Sequence, residues 1–193
     1  MLVDSGALIL GAGFSRRFGA DKRLAQLSGV SVAELTLQRY CQVFTDVRVV
    51  VKPEDTSLIG LIESLPVDII RCSEAHLGMG HSLACGAREL TWSYAFVGLL
   101  DMPFVKVETL NRLKQAALGA PPETIIQPRL ADASVGHPVG WPRHYFPLLE
   151  TLQGDQGARN LLQRFHDKIK YVATDDEGII RDIDHPEDLH RQQ

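Results

Sequence analysis

The chain has 193 residues, 45% of them hydrophobic and 23% charged, the balance of a globular protein with a substantial core rather than a disordered or fibrous one. Its net charge of −4 argues against a broad nucleic-acid face but leaves room for a small anion held by local positive charge. Three scattered cysteines without a Cys-x-x-Cys pair argue against a disulfide framework or a zinc site, and no apolar run reaches the length of a membrane span.

The opening Met1-Leu-Val-Asp-Ser5 lacks a basic segment followed by a long apolar run, so no signal peptide is expected. One cytoplasmic domain over 1–193 is the expectation. The apolar run Ala7-Leu-Ile-Leu10 suits a buried strand. It breaks into Gly11-Ala12-Gly13, followed by Ser15, Arg16, Arg17, Gly19 and Lys22. Glycines let backbone N–H groups approach a ligand closely, and such a loop makes an anion-binding concavity. The arginines and the lysine add charge, so the stretch reads either as a polyphosphate loop or as a tight turn with solvated basic residues. It fits neither the P-loop, which needs a glycine directly before Lys22, nor the dinucleotide fingerprint, which needs a glycine at Arg16. A dinucleotide-binding oxidoreductase is disfavoured accordingly.

Further along, Val30 to Phe44 reads as a helix with Ser31 as its N-cap. A strand Val47–Val51, a helix Thr56 to Leu65 and an edge-like strand Val67–Ile70 follow. This alternation predicts an α/β fold with a mainly parallel central sheet. Gly78-Met-Gly80-His81-Ser82-Leu83 reads as a Gly-rich turn before a helix from Ala84 to Thr91, with His81 or Ser82 capping it or a nucleotide lying against it. The apolar stretch Tyr94–Leu100 predicts a buried strand that ends in Asp101. Ligands of open α/β sheets bind beyond such strand ends, so Asp101 is a candidate Mg²⁺ ligand as well as a candidate turn residue. Lys106–Leu118 predicts an amphipathic helix, Thr124–Gln127 a strand and Pro142–Leu152 a helix. Gly154-Asp155-x-Gly-Ala-Arg159 leads into another helix, with Asp155 a possible cap. Ile169–Val172 and Gly178–Ile180 suggest a strand pair about the turn at Asp175–Gly178, and Pro186 suits the start of a terminal helix capped by Asp184.

The spacing Gly13-x-Ser15-x-Arg17-x-Gly19-x-x-Lys22 resembles the signature of the MobA-like nucleotidyltransferases, and within them the molybdenum cofactor cytidylyltransferase branch. Gly78-Met-Gly-x-Ser-Leu83, Asp101-Met-Pro103, Gly136-His137-Pro138, Gly154-Asp-x-Gly-Ala-Arg159 and Asp182-Ile-Asp184-His-Pro-Glu-Asp-Leu189 resemble further elements of that branch, in the expected order. The chain departs from the pattern at Gly11, where alanine is usual, at Phe18, where methionine is usual, at Leu100, where glycine is usual, and at His185, where threonine is usual. The resemblance implies a three-layer Rossmann-like nucleotidyltransferase fold and Mg²⁺-dependent transfer of CMP from CTP to a molybdopterin-type acceptor. It implies nucleotide binding by Leu10, Gly11, Ala12, Gly13, Ser15, Arg17, Lys22, Gly80 and Ser82, with Arg17, Lys22 and Asp101 catalytic. It further implies metal binding by Asp101 and Asp184, acceptor contacts from His137, Asp155 and Arg159, and transient contact with a molybdoenzyme or its chaperone. Another small-molecule nucleotidyltransferase, using GTP or a sugar phosphate, and a non-catalytic cofactor carrier are the competing readings.

Overall fold

The computed structural model describes residues 4–13 and 18–189. Strand β1 (Ser5–Leu10) is buried along its whole length, as the uninterrupted apolar run predicts. A two-strand hairpin, β2 (Gln26–Leu27) and β3 (Val30–Ser31), then precedes α1 (Val32–Cys41). Next come β4 (Val47–Val51), α2 (Thr56–Ile62), β5 (Asp68–Arg71), α3 (Met79–Ala87), β6 (Tyr94–Leu99) and α4 (Val107–Ala117). The remainder is β7 (Ile125–Arg129), β8 (Val139–Pro142), α5 (Phe146–Leu149), α6 (Arg159–Arg164) and β9 (Ile169–Ala173).

The main sheet has the order β5-β4-β1-β6-β8-β7-β9. Within it β8 runs antiparallel to both its neighbours and the other pairings are parallel. The chain builds outward from β1 to β4 and β5, then returns to lay β6 on the other side of β1. The carboxyl ends of β1 and β6 therefore flank the point where the strand order reverses, the place where open α/β sheets bind ligands.

Successive side chains of a strand face opposite sides, and both faces of this sheet are covered. Ala7 and Ile9 pack with Leu37 and Tyr40 of α1, Leu58 and Ile62 of α2, and Leu110 and Leu113 of α4. Leu8 and Leu10 pack with Leu83 and Ala87 of α3, Phe146 and Leu149 of α5, and Leu161 of α6. The architecture is the three-layer α/β/α sandwich expected. No described helix is long and apolar enough to cross a membrane.

Several sequence expectations change here. Helix α1 starts at Val32, not Val30, because Ser28 (φ 55°) and Gly29 (φ 85°) make the turn that pairs Val30–Ser31 with β2. Ser31 caps α1 as expected: its Oγ accepts from Glu34 N at 3.1 Å, while Glu34 Oε2 accepts from Ser31 N at 3.2 Å. Helix α2 ends at Ile62 rather than Leu65. Pro142 closes a strand rather than opening a helix, since Val139–Pro142 pairs with β6 and buries Trp141 against Tyr145. Only the four residues of α5 are α-helical in the stretch expected as one long helix. Residues Glu177–Ile180 form a 3₁₀ turn, not a strand, because Asp176 accepts from Gly178 N at 3.0 Å and also from Lys106 N and Thr109 Oγ1. Strand β9 pairs with β7 instead.

Candidate active site

A cavity of about 600 Å³ opens beyond the carboxyl ends of β1 and β6. Leu10, Gly11, Ala12, Gly13 and Lys22 line one side, and Gly78, Met79 and Ser82 at the start of α3 line another. Asp101, Asp155, Asp182 and Asp184 also face it. Nine of the expected site residues thus converge across the whole length of the chain. Ser15, Arg16 and Arg17 lie outside the described residues.

Asp101 lies two residues past the end of β6, and its carbonyl accepts from Ile183 N at 2.9 Å. That bond carries the C-terminal segment alongside the strand end and sets Asp182 and Asp184 beside Asp101. One carboxylate oxygen from each of the three lies within 4.8 Å of the others. Lys22 Nζ sits 2.7 Å from Asp101 Oδ2 and donates to Asp184 Oδ1 at 2.8 Å. Burial works against the Lys22 ammonium, but the charges and hydrogen bonds of Asp101 and Asp184 outweigh it and raise its pKa. Asp182 faces solvent, yet the protein packed around its carboxyl, and then the like charges of Asp184 and Asp101, hold its pKa above the ordinary value. In the terminal turn Asp188 Oδ2 accepts from Asp184 N at 3.1 Å and from His185 N at 2.8 Å. A crowd of oxygen donors with net negative charge suits a hard divalent cation, so the donor set fits Mg²⁺.

Next to Lys22 stands a buried cation that the sequence reading passed over. Arg23 Nη1 and Nη2 donate to the two oxygens of Asp55 at 2.7 and 2.8 Å, and Nε and Nη2 donate to Asp21 at 2.8 and 2.7 Å. Nη1 also donates to the Gly11 carbonyl. Burial again opposes the charge, but the bonds to Asp21 and Asp55 dominate and push the Arg23 pKa further up. One guanidinium therefore ties the start of the Gly-rich loop, its far end at Asp21 and the approach to α2 into one unit.

The stretch from Gly78 is the first turn of α3 and not a loop before it. Neither expected cap operates: Ser82 Oγ donates back to the Gly78 carbonyl at 3.4 Å, and His81 Nδ1 accepts from Gly154 N at 3.2 Å. Gly80 N donates to the Gly154 carbonyl at 2.7 Å. Gly80 lies outside the cavity lining; any Cβ there would meet Gln153 O at 2.6 Å. Gly78 adopts φ 123° and has Gly154 O 2.5 Å from where a Cβ would be, so glycine is required on both counts. These contacts dock the 153–155 strap on α3 and turn Asp155 toward the cavity. Asp155 does not cap α6, whose N-cap position is Ala158.

His137 and Arg159 lie outside the lining. Arg159 is exposed at the start of α6. His137 stands near Asp101, its Nδ1 3.5 Å from the Val97 carbonyl; burial lowers its pKa despite the pull of that carbonyl and of Asp101. Its backbone N donates to the Ile179 carbonyl at 2.8 Å, and a side chain at Gly136 would collide with that same carbonyl. The Gly-His-Pro element thus seats the segment that runs on to Asp182 and Asp184.

Two of the departures from the motif meet in space. A Cβ on Gly11 would lie 2.6 Å from Leu100 Cδ2 and 3.2 Å from the Val50 carbonyl. The larger residue before Asp101 occupies the room that alanine would use in the loop.

The domain model of the MobA-like NTP transferases matches residues 7–169. Among known proteins, the chain is 32% identical to the purine catabolism protein PucB of Bacillus subtilis (strain 168), covering 94% of this chain and 92% of that one. It is 28% identical to a probable molybdenum cofactor guanylyltransferase of Methanosarcina acetivorans, covering 92% and 80%. Among solved structures, Rv0371c of Mycobacterium tuberculosis H37Rv matches with a TM-score of 0.83 at 25% identity, covering 99% of this chain and 98% of that one. A structure of Rv0371c in complex with manganese matches with a TM-score of 0.79 at 22% identity over 97% of each chain.

Proposed function

The chain belongs to the MobA-like NTP transferase family and is a nucleotidyltransferase of that kind, and from this premise we propose that it transfers CMP from CTP to the terminal phosphate of a molybdopterin-type cofactor with Mg²⁺ as its metal. An acceptor phosphate oxygen attacks the α-phosphorus, the new O–P bond forms as the bond to the β-phosphate oxygen breaks, and pyrophosphate leaves. A phosphate acceptor is already ionised at neutral pH, so the protein needs to position and neutralise rather than to abstract a proton. The reading rests on one observation: Lys22, Asp101 and Asp184 converge beside the Gly-rich loop at the point where the strand order reverses.

In this reading Lys22 and Arg17 hold the triphosphate and the departing pyrophosphate, while the N–H groups of Ala12 and Gly13 and the start of α3 surround the nucleotide; the Gly11 N–H is spent on the Val50 carbonyl at 2.8 Å. Asp101 and Asp184 hold Mg²⁺, with Asp182 near enough to join them. When bound, Mg²⁺ supplies positive charge to phosphate oxygens during in-line displacement. Asp155 is the acceptor-side group that faces the cavity. CTP is favoured because Ala12 stands where the cytidylyltransferase branch has alanine and the guanylyltransferase branch glycine. A cytoplasmic setting and handover of the product to a molybdoenzyme or its chaperone belong to the same reading. A carrier without catalysis has no need of the Lys22–Asp101–Asp184 convergence.

The test is pyrophosphate release with Mg²⁺ and molybdenum-loaded molybdopterin, comparing CTP, GTP, ATP and UTP. Turnover with CTP that is abolished by Asp101→Ala supports the reading. Turnover with GTP instead keeps the mechanism and removes the Ala12 assignment. Binding of CTP without turnover on any pterin favours the carrier or another acceptor.

A further inference from the structure

Lys22 stands where the proposed metal would have to go. Its Nζ is 2.7 Å from Asp101 Oδ2 and 2.8 Å from Asp184 Oδ1. Oxygen ligands hold Mg²⁺ at about 2.0–2.1 Å. An ion bridging those two oxygens must occupy the space between them, and the ammonium fills it. An ammonium and a divalent cation at such range also repel strongly in a cavity partly shielded from water. The Lys22 side chain is only 13% exposed, so it does not simply swing into bulk solvent. To leave the carboxylates without cost it needs another anion, and in the reading above the nucleotide phosphates enter the same cavity, which Gly11 to Gly13 line beside Lys22.

From this geometry, and resting on the nucleotidyltransferase reading above, we infer that Lys22 is a resident counter-ion that keeps the metal off Asp101 and Asp184 until nucleotide phosphates draw it away. Nucleotide gives the ammonium a new partner, and the vacated carboxylates take the metal. Metal and nucleotide then strengthen each other's binding by equal factors, as linkage requires. Asp101 and Asp184 would then hold the metal only once nucleotide is bound, and free cation alone would fill the site poorly. Arginine at position 22 would keep the grip on both carboxylates with its planar fork; methionine would abolish it.

The experiment uses the full chain and Mn²⁺ as the probe, with the EPR signal of free Mn²⁺ reporting affinity. It is measured without nucleotide and with saturating α,β-methylene-CTP, for the wild type, Lys22→Met and Lys22→Arg, after thermal melts show each folded. Without nucleotide, Lys22→Met is expected to bind Mn²⁺ about tenfold more tightly than the wild type, and Lys22→Arg no more tightly. At saturating analogue the advantage of Lys22→Met is expected to vanish. Equal Mn²⁺ affinity of wild type and Lys22→Met without nucleotide overturns the inference. So does a gain of the same size in both states, which would mean a simple loss of nearby positive charge. Either failure leaves wild-type turnover of CTP intact; absence of analogue binding by every form overturns the CTP reading along with this one.

Discussion

Lys22 and Arg23 are neighbours in the chain, and each is a cation held between two aspartates. Arg23 is buried, and its partner Asp55 has a side chain only 7% exposed. All its donors point at fixed acceptors: two carboxylates and a loop carbonyl. Lys22 meets its aspartates at the wall of an open cavity, where Asp101 and Asp184 are 21% and 34% exposed. The side chains match these settings. A planar fork locks geometry and suits a buried pair, while a point charge on a flexible stem can exchange one anion for another. The same charge pattern therefore builds the loop at one residue and operates it at the next.

Breaking each half of the comparison should give opposite results. Removing the exchangeable cation has the largest expected effect: Lys22→Met should lower kcat/KM by on the order of 10²–10³, as for loss of one preorganised electrostatic group, with little change in the melting temperature. Steady-state pyrophosphate release together with thermal melts checks both parts. Removing the fixed pair should do the reverse. Asp55→Ala leaves a buried arginine short of a partner and should cost about 3–5 kcal/mol of stability, on the order of 10 °C in Tm for a chain of this size.

The fixed pair should also show in acid. Burial pushes the Asp55 carboxyl up, but the bonds and charges from Arg23 and Lys52 prevail and hold it below its ordinary value of 3.8. A depressed pKa in the folded state means that the stabilisation is full above the ordinary value and is lost as pH falls below it. Denaturant melts of the wild type should therefore converge with those of Asp55→Ala as the pH drops below about 4. A constant gap down to pH 2 would show that Arg23 does not govern that carboxyl.

The loop's packing offers a finer test. Gly11→Ala should cost about 1–3 kcal/mol because its new methyl group meets Leu100. Combined with Leu100→Ala, which clears that space, the two changes should be non-additive by about 1 kcal/mol or more in a double-mutant cycle. Additive losses would mean that the two departures from the family motif are unrelated. The smallest effect is expected from Asp182→Asn. The folded state disfavours this charge, so its removal should raise the Tm near neutral pH by about 1–2 °C, and the gain should fade as acid protonates Asp182 in the wild type.

What the sequence disclosed follows the range of the interactions. The turn at Gly11–Gly13 after β1, the strand running up to Asp101 and the strand–helix alternation are local patterns, and the structure has each near where the residues suggest. Asp184 is 162 residues from Lys22, so only the likeness of the 182–189 segment to a known motif connected them. Arg23 and Asp55 had no such guide: they pair across 32 residues, and nothing in the order Asp-Lys-Arg marks the arginine as buried and the lysine as facing a cavity. Glu177–Ile180 misled for a related reason. Its apolar residues look like a strand, but Asp176 takes up the local N–H of Gly178 and reaches to α4 as well. His81 and Ser82 looked like caps because cap residues are judged by type, whereas the partner of His81 is the Gly154 strap 73 residues away.

The measurement closest to the centre of this account compares pyrophosphate release from CTP per folded molecule for the wild type, Asp101→Asn and Asp55→Ala, alongside their melting temperatures. Asp101→Asn is expected to lose at least about 10² in rate while melting within a few degrees of the wild type. Asp55→Ala is expected to melt far lower but, at a temperature where it is folded, to stay within about tenfold of the wild-type rate. Wild-type turnover by Asp101→Asn, or rate losses that merely track the unfolded fraction in both variants, would contradict it.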